Sequence, residues 1–317
     1  MSRWTPAQIP DLSGKSAVVT GANSGLGYHT ALQLAAHGAK VVMACRDRAR
    51  GTDAMTRLLR AVPRGEVELK ELDLADLSSI KDFAAACAKQ RDGLDILVNN
   101  AGVMHIPERR TADGFEMQFG TNHLGHFALT GRLLPLLLAR PSARVITVSS
   151  VLARVGVVDF GNLNAEHGYE RHRQYGLAKL SNQLFMLELD RRAGAAGTTL
   201  ISAAAHPGWS ATNLQTRGSQ MSGSRLAGIP VQIGNLLIAQ SDARGAWPSL
   251  FAATMPGVSG GDYFGPDGLG QLRGHPKRLE TVASARDARV AGQLWAESER
   301  LTGVVYQFEA RPVPSGS

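Results

Sequence analysis

The sequence predicts an α/β fold in which one doubly wound parallel sheet of about seven strands is flanked by helices on both faces. Two observations predict it. Short β-type runs alternate with longer helical patterns through the first two thirds of the 317 residues, the pattern of successive parallel βαβ units. The first run and the first helical pattern are joined by the glycine-rich turn Thr20-Gly21-Ala22-Asn23-Ser24-Gly25-Leu26-Gly27. A hydrophobic content of 44% is ample for one large core.

Ser16 to Thr20 reads as the first strand, Leu26 to His37 as a helix ended by Gly38, and Lys40 to Ala44 as the second strand. Arg48 to Leu59 is helical, Glu66 to Leu72 a strand, Ser78 to Lys89 a helix, and Leu94 to Asn99 the fourth strand. A long helix is expected across about Phe115 to Ala139, although Gly120, Gly125, Gly131 and Pro135 interrupt it. Arg144 to Ser149 and Thr198 to Ala205 are the fifth and sixth strands, separated by a helix that carries Tyr175 near its start and runs to about Arg192. A helix at Ala243 to Ala253, a strand at Gly261 to Phe264 and a helix around Ala285 to Leu301 complete the fold. The expected organisation is a single domain over residues 1–317. It carries a substrate-lid insertion at about 209–241, apolar from Leu226 to Ala239, and a C-terminal extension at about 266–317.

Composition narrows the function. Cys45 and Cys87 are the only cysteines, which gives no disulfide framework and suits a reducing, cytoplasmic setting. No clustered cysteines offer a zinc site, and His123 with His126 is a pair without further ligands, so no metal is expected and the histidines read as packing or hydrogen-bonding residues. The net charge is +7 with a pI near 9.7, yet the arginines are dispersed and lack interleaved aromatics, so nucleic acid is not an expected partner. No window reaches 18 uninterrupted apolar residues, so no integral membrane segment is expected.

Gly21, Gly25 and Gly27 follow a strand and open a helix, where the absence of side chains admits a tight turn and brings a phosphate close to the helix N-terminal amides. This is the Rossmann-type arrangement for a dinucleotide. The second strand ends in Ala44-Cys45-Arg46, without the acidic residue that would accept from a ribose 2′-hydroxyl; Arg46 stands where a 2′-phosphate needs a cation, which favours NADP(H) over NAD(H). Tyr175 and Lys179 lie at i and i+4 on one helix face, so an ammonium beside the phenol can favour its anion. Lowering a phenol from a pKa of about 10 toward neutrality takes about 4 kcal/mol of preferential anion stabilisation.

Five elements in order, Thr20-Gly21-x-x-x-Gly25-x-Gly27, Asn99-Asn100-Ala101-Gly102, Asn122, Ser150 and Tyr175-x-x-x-Lys179, resemble the short-chain dehydrogenase/reductase family over about residues 14 to 265. The spacing of 25 positions from Ser150 to Tyr175, together with Asn122-His123-Leu124-Gly125-His126-Phe127, His206-Pro207-Gly208 and Leu294 to Gly303, is similar to its retinol dehydrogenase-like and protochlorophyllide reductase-like branches. The resemblance implies that Tyr175 is the general acid/base, that Ser150 rather than Ser149 orients the substrate oxygen, and that Lys179 lowers the Tyr175 pKa and binds the nicotinamide ribose. It implies that Asn122 holds a water leading from Lys179 to solvent. For the cofactor it implies Gly21, Asn23, Ser24, Gly25, Leu26 and Gly27 at the pyrophosphate, Asp73 and Leu74 at adenine, Asn100, Ala101 and Gly102 on the adenosine side, and Pro207, Gly208 and Thr212 at the carboxamide.

The expected function is therefore an NADP(H)-dependent oxidoreductase of a small hydrophobic carbonyl or alcohol. The alternatives are a non-catalytic NADP(H)-binding sensor or scaffold, which would need neither Ser150 nor Tyr175, and an NADPH-dependent C=C reductase. The resemblance also favours a homo-oligomer, dimer or tetramer, while the chain from Gly265 onward is long enough to cover the usual helix-pairing surface.

Overall fold

A computed structural model describes residues 3–209 and 240–308. The chain alternates strictly at first: β1 (Ser16–Thr20), α1 (Gly25–Ala36), β2 (Lys40–Cys45), α2 (Arg48–Ala61), β3 (Val67–Glu71), α3 (Leu77–Gln90) and β4 (Ile96–Asn99). Short α4 (Met117–Phe119), a π-helical turn at Gly120–Leu124 and α5 (Gly125–Leu138) follow as one stack. Then come β5 (Arg144–Val148), α6 (Arg171–Ala195), β6 (Ile201–Ala205), α7 (Asp242–Gly245), α8 (Trp247–Thr254), β7 (Tyr263–Pro266), β8 (Pro276–Leu279) and α9 (Ala288–Thr302). Strand order in the eight-stranded sheet is β3-β2-β1-β4-β5-β6-β7-β8, parallel except for β8.

Strand composition follows from two-sided burial. Ala17 and Val19 of β1 enter a core with Ala31 and Leu34 of α1, Leu58 of α2 and Leu250 of α8, whereas Val18 between them enters the opposite core with Ile80 and Phe83 of α3, Leu129 and Leu133 of α5, and Phe185 of α6. A strand covered on both faces reads as a continuous apolar run rather than an alternating one. β1 pairs with both β2 and β4, so the winding reverses there, and the crevice beyond the carboxyl ends of these strands is where an open α/β sheet binds ligands.

Carboxylates start the helices: Asp47 accepts from Arg50 N at 3.0 Å, Asp76 from Ser78 N at 2.8 Å and Glu170 from His172 N at 3.0 Å. Three expectations change in detail. The helix expected across Phe115 to Ala139 contains the π turn, because its two flanking glycines are pressed against neighbours: a Cβ at Gly120 would sit 2.6 Å from Thr111 Cγ2, and one at Gly125 2.4 Å from the Leu74 carbonyl oxygen. The helix expected at Ala243 to Ala253 is two, since Pro248 belongs in a first turn and cannot donate to a preceding one. β8 is an eighth strand beyond the seven read from sequence; its Lys277 and Arg278 mark an exposed antiparallel edge and mask strand character. The expected lid at 209–241, including Leu226 to Ala239, lies almost entirely outside the described residues.

Candidate active site

Every sequence-predicted site residue within the described chain lies in the glycine turn or in the loops and helix ends at the carboxyl edge of β1 to β6. At β1, Gly21 and Gly25 take left-handed φ of 67° and 57°. A Cβ on Gly27 would stand 2.5 Å from both Asn100 Nδ2 and the Gly21 carbonyl oxygen, so the turn closes only without that atom. Thr20 stitches the turn to β4: its Oγ1 accepts from Asn100 N and Ala101 N, each at 2.9 Å, and its carbonyl accepts from Asn100 Nδ2 at 2.7 Å. The Ser24 side chain makes no cap bond, and the first turn of α1 holds no acidic residue, which leaves the amides of Gly25, Leu26 and Gly27 suited to an anion. Arg46, exposed at the end of β2, has Nη1 4.0 Å from Asp73 Oδ2. Asp73 Oδ1 accepts from Ala75 N, and Leu74 is buried under Gly125. These features fit a dinucleotide: a glycine turn and an uncapped helix start for its pyrophosphate, with the exposed Arg46 guanidinium at one edge.

The serine ambiguity resolves by geometry. Ser149 is 2% exposed and spends its hydroxyl on the Lys179 carbonyl at 2.8 Å, while Gln183 donates back to it. Ser150 caps the turn at Val151–Val155, accepting from Leu152 N, and its hydroxyl stands near enough to the Tyr175 phenol to favour the phenol's anion. Tyr175 and Lys179 are both buried on α6, with Nζ 5.7 Å from the phenol ring centre and donating to the Val148 carbonyl at 3.0 Å. Burial dominates both: it pushes the Tyr175 phenol up to about 12 against the smaller pull of the Ser150 hydroxyl, and Lys179 down to about 8. The expectation that Lys179 lowers the phenol thus meets a larger opposing effect, the desolvation of the phenol itself, which disfavours its anion.

Asn122 sits in the π turn, completely buried, with Oδ1 accepting from Val103 N at 2.8 Å and Nδ2 donating to Val103 O at 2.9 Å. It therefore fixes the loop after Asn100-Ala101-Gly102. At β6, Gly208 has φ 69° and donates to His206 Nδ1, and the Pro207 carbonyl accepts from Gln240. A Cβ at Gly208 would meet the Leu272 carbonyl at 2.4 Å. Thr212 lies outside the described residues.

His126 is a residue whose place sequence reading missed. Its Nδ1 lies 3.0 Å from the Asn122 carbonyl, which can only accept, so Nδ1 carries the proton and Nε2, 2.9 Å from Thr20 Oγ1, accepts from that hydroxyl. One neutral imidazole thus ties the π turn to the glycine turn; the signal was the i, i+4 spacing from Asn122. Burial holds His126 down to about 4 from an ordinary 6.5. The unfolded chain therefore binds a proton that the folded chain refuses between these values, so stability is present above pH 6.5 and lost as pH falls toward 4, by roughly 3 kcal/mol for this group. His126→Gln is expected to flatten the decline of urea stability between pH 7 and 4, while leaving the pH 7 to 9 slope unchanged.

The short chain dehydrogenase family model matches residues 15–220. The chain belongs to the short-chain dehydrogenase/reductase family. It is 39% identical to mouse retinol dehydrogenase 14 over 306 residues, covering 93% of this chain and 87% of that one. Human retinol dehydrogenase 13 is 40% identical, with 94% and 86% covered, and mouse polyprenol dehydrogenase 37%, with 95% and 87%. Among solved structures, a Mycobacterium Paratuberculosis protein superposes with a TM-score of 0.79 at 40% identity, covering 96% of this chain and 100% of that one. The Pseudomonas aeruginosa RhlG/NADP active-site complex shares the fold, with a TM-score of 0.61 at 24% identity, covering 80% of this chain and 94% of that one. This short-chain dehydrogenase/reductase is accordingly an oxidoreductase of the retinol dehydrogenase-like branch, in a family that binds nicotinamide cofactors. No helix among its described residues is long and apolar enough to cross a membrane.

Proposed function

We propose that the protein is an NADP(H)-dependent oxidoreductase that interconverts a hydrophobic carbonyl and its alcohol, with Tyr175 delivering or removing the proton. The observation that carries this reading is the grouping of Ser150, after β5, with the buried Tyr175 and Lys179 of α6. A phenol held protonated at about 12 is a donor at neutral pH, Ser150 stands on it to orient a substrate oxygen, and Lys179 is the cation that would stabilise the phenolate as it forms. When bound, the nicotinamide exchanges a hydride with the substrate carbon. Gly21, Asn23, Ser24, Gly25, Leu26 and Gly27 would take the pyrophosphate; Asp73, Leu74, Asn100, Ala101 and Gly102 the adenosine; Lys179 and Tyr175 the ribose; and Pro207, Gly208 and Thr212 the carboxamide. Asn122 supports this end by fixing the loop after Gly102. The names of the relatives, retinol and polyprenol dehydrogenases, support long apolar alcohols as the substrate class. Two unpaired buried thiols, Cys45 and Cys87, support a cytoplasmic site of action.

NADPH consumption at 340 nm (a property of the cofactor), followed against aldehydes, ketones and quinones with NADH as control, tests the whole reading. Turnover with NADPH and an apolar carbonyl supports it; tight NADPH binding without turnover of any carbonyl would replace it with the sensor reading. Arg46 supplies the specificity test. Arg46→Ala is expected to raise the NADPH KM by about tenfold or more, the value of a charge-assisted phosphate contact, and to change the NADH KM less than twofold. Equal effects on both cofactors would remove Arg46 from the 2′-phosphate.

A further inference from the structure

The chain leaves the sheet at His206. His206 N closes the pairing of β6 with β7 by donating to the Phe264 carbonyl at 2.9 Å, and Pro207 has no N–H to carry the ladder on. The next donor, Gly208 N, turns back to the side chain of His206 and meets Nδ1 at 3.1 Å, an i to i+2 bond of the kind that Asn and Asp make in turns. A backbone N–H can only donate, so Nδ1 accepts and the neutral imidazole carries its proton on Nε2. That nitrogen lies in a slot opened by a glycine: a Cβ at Gly265 of β7 would stand 2.1 Å from Nε2 and 2.5 Å from Cδ2. The ring is completely buried, and Nε2 has no hydrogen-bond partner among the described residues. A buried N–H without a partner costs free energy that an apolar side chain of similar size would avoid, so what the imidazole contributes here is the bond at Nδ1.

We propose that His206 is a positioning residue for the nicotinamide end of the cofactor, holding Pro207-Gly208 through Nδ1 in the shape that receives the carboxamide. The inference rests on the role proposed for Pro207 and Gly208. Gly208 has φ 69°, and glycine takes either sign of φ at little cost, so the residue type permits this turn without selecting it. The Nδ1 bond supplies the selection from the sheet side. On the other side Trp209 N donates to the Leu272 carbonyl at 2.7 Å, and Gln240 donates to the Pro207 carbonyl while accepting from Gly274 N. The turn is thus fixed between the end of β6 and the segment that joins β7 to β8. Burial, against the smaller pull of the Gln271 side chain and with the Arg154 charge, holds His206 down to about 4, so Nδ1 stays free to accept at neutral pH. His206 touches the cofactor through the backbone it holds, not through its own ring.

The test compares His206→Leu, which fills the slot without an acceptor, with His206→Asn, whose Oδ1 can take the Gly208 amide as in an Asx turn. Two ligands are measured on each: NADPH, in turnover of the best carbonyl of the panel, and 2′-phospho-ADP-ribose, which lacks the nicotinamide, as a competitive inhibitor. His206→Leu is expected to lower kcat/KM for NADPH by about tenfold or more, the scale of a buried donor left unpaired, with the inhibition constant of 2′-phospho-ADP-ribose within about twofold of wild type. His206→Asn should bring kcat/KM back to within about threefold of wild type, because it restores the acceptor. Gly265→Ala keeps the imidazole but displaces it, so the same selective loss is expected, and this variant carries the test where His206→Leu does not melt cooperatively. An unchanged kcat/KM in folded His206→Leu overturns the positioning role, as does an equal loss in His206→Leu and His206→Asn. A parallel rise in the inhibition constant of 2′-phospho-ADP-ribose also overturns it, since that marks a general loosening of the cofactor site. Failure of the underlying reading looks different: Gly208→Ala, which must move the turn itself, would then leave NADPH turnover at its wild-type value.

Discussion

Replacing Tyr175 by Phe is expected to lower kcat by about 10³-fold or more while leaving the dissociation constant for NADPH within about threefold, because only the proton donor is removed. The ring is 5% exposed and packed under His105, so Phe fills the same volume and stability should change by less than about 1 kcal/mol. Fluorescence titration with NADPH and steady-state kinetics on the same preparation separate the two quantities. The phenol at about 12 and the ammonium at about 8 also set the pH behaviour. Reduction needs the protonated phenol and is expected to hold its rate through neutrality. It should decline above about pH 8 as Lys179 loses the proton that lets it stabilise the phenolate. Lys179→Met should remove that alkaline limb together with most of the rate. A Tyr175→Phe enzyme retaining more than a tenth of wild-type kcat would assign the proton to another donor and end the proposed mechanism.

Sequence patterns carried furthest where one physical cause acts alone. β1, β2, β4, β5 and β6 were readable because two-sided burial writes uninterrupted apolar runs, and α1 because Gly21, Gly25 and Gly27 have no other common use between a strand and a helix. The grouping of Ser150, Tyr175 and Lys179 was legible through their order and spacing, but the division of labour between Ser149 and Ser150 was not. That division depends on which hydroxyl the α6 backbone takes, a matter of tertiary contact. The direction of the Tyr175 shift was likewise beyond reach, since an i+4 lysine is visible in sequence while the loss of solvent around both groups is not. His126 and His206 were obscured for a related reason. A histidine gives the same letter whether it fills space, links two loops or holds a turn.

Trp295→Ala is expected to cost about 3–5 kcal/mol, a large part of the 5–15 kcal/mol of a typical domain. Trp295, 2% exposed on α9, stacks on Phe185 of α6 at 5.8 Å and 19°, meets Phe127 of α5 at 5.1 Å and Tyr306 at 4.5 Å, and lies under the Arg192 guanidinium at 4.6 Å. The Tyr306 hydroxyl donates to the Phe127 carbonyl at 2.7 Å. Residues beyond β7 thus complete the core on the face that carries α5 and α6, and Ser298 of α9 bonds His123 inside the π turn next to Asn122. We therefore expect one cooperative urea transition for the whole chain, shifted to lower denaturant in Trp295→Ala with an unchanged slope, the outcome expected of a single domain. Trp295→Phe, which keeps the stacking on Phe185, should recover more than half of the loss. Two separate transitions, or a loss under about 1 kcal/mol, would show that the C-terminal segment rides on the sheet as an independent layer. In that case the heat sensitivity of turnover would no longer follow α9. With one transition, activity and global folding should fail together, because the turn that seats Asn122 is braced from behind by the same helix.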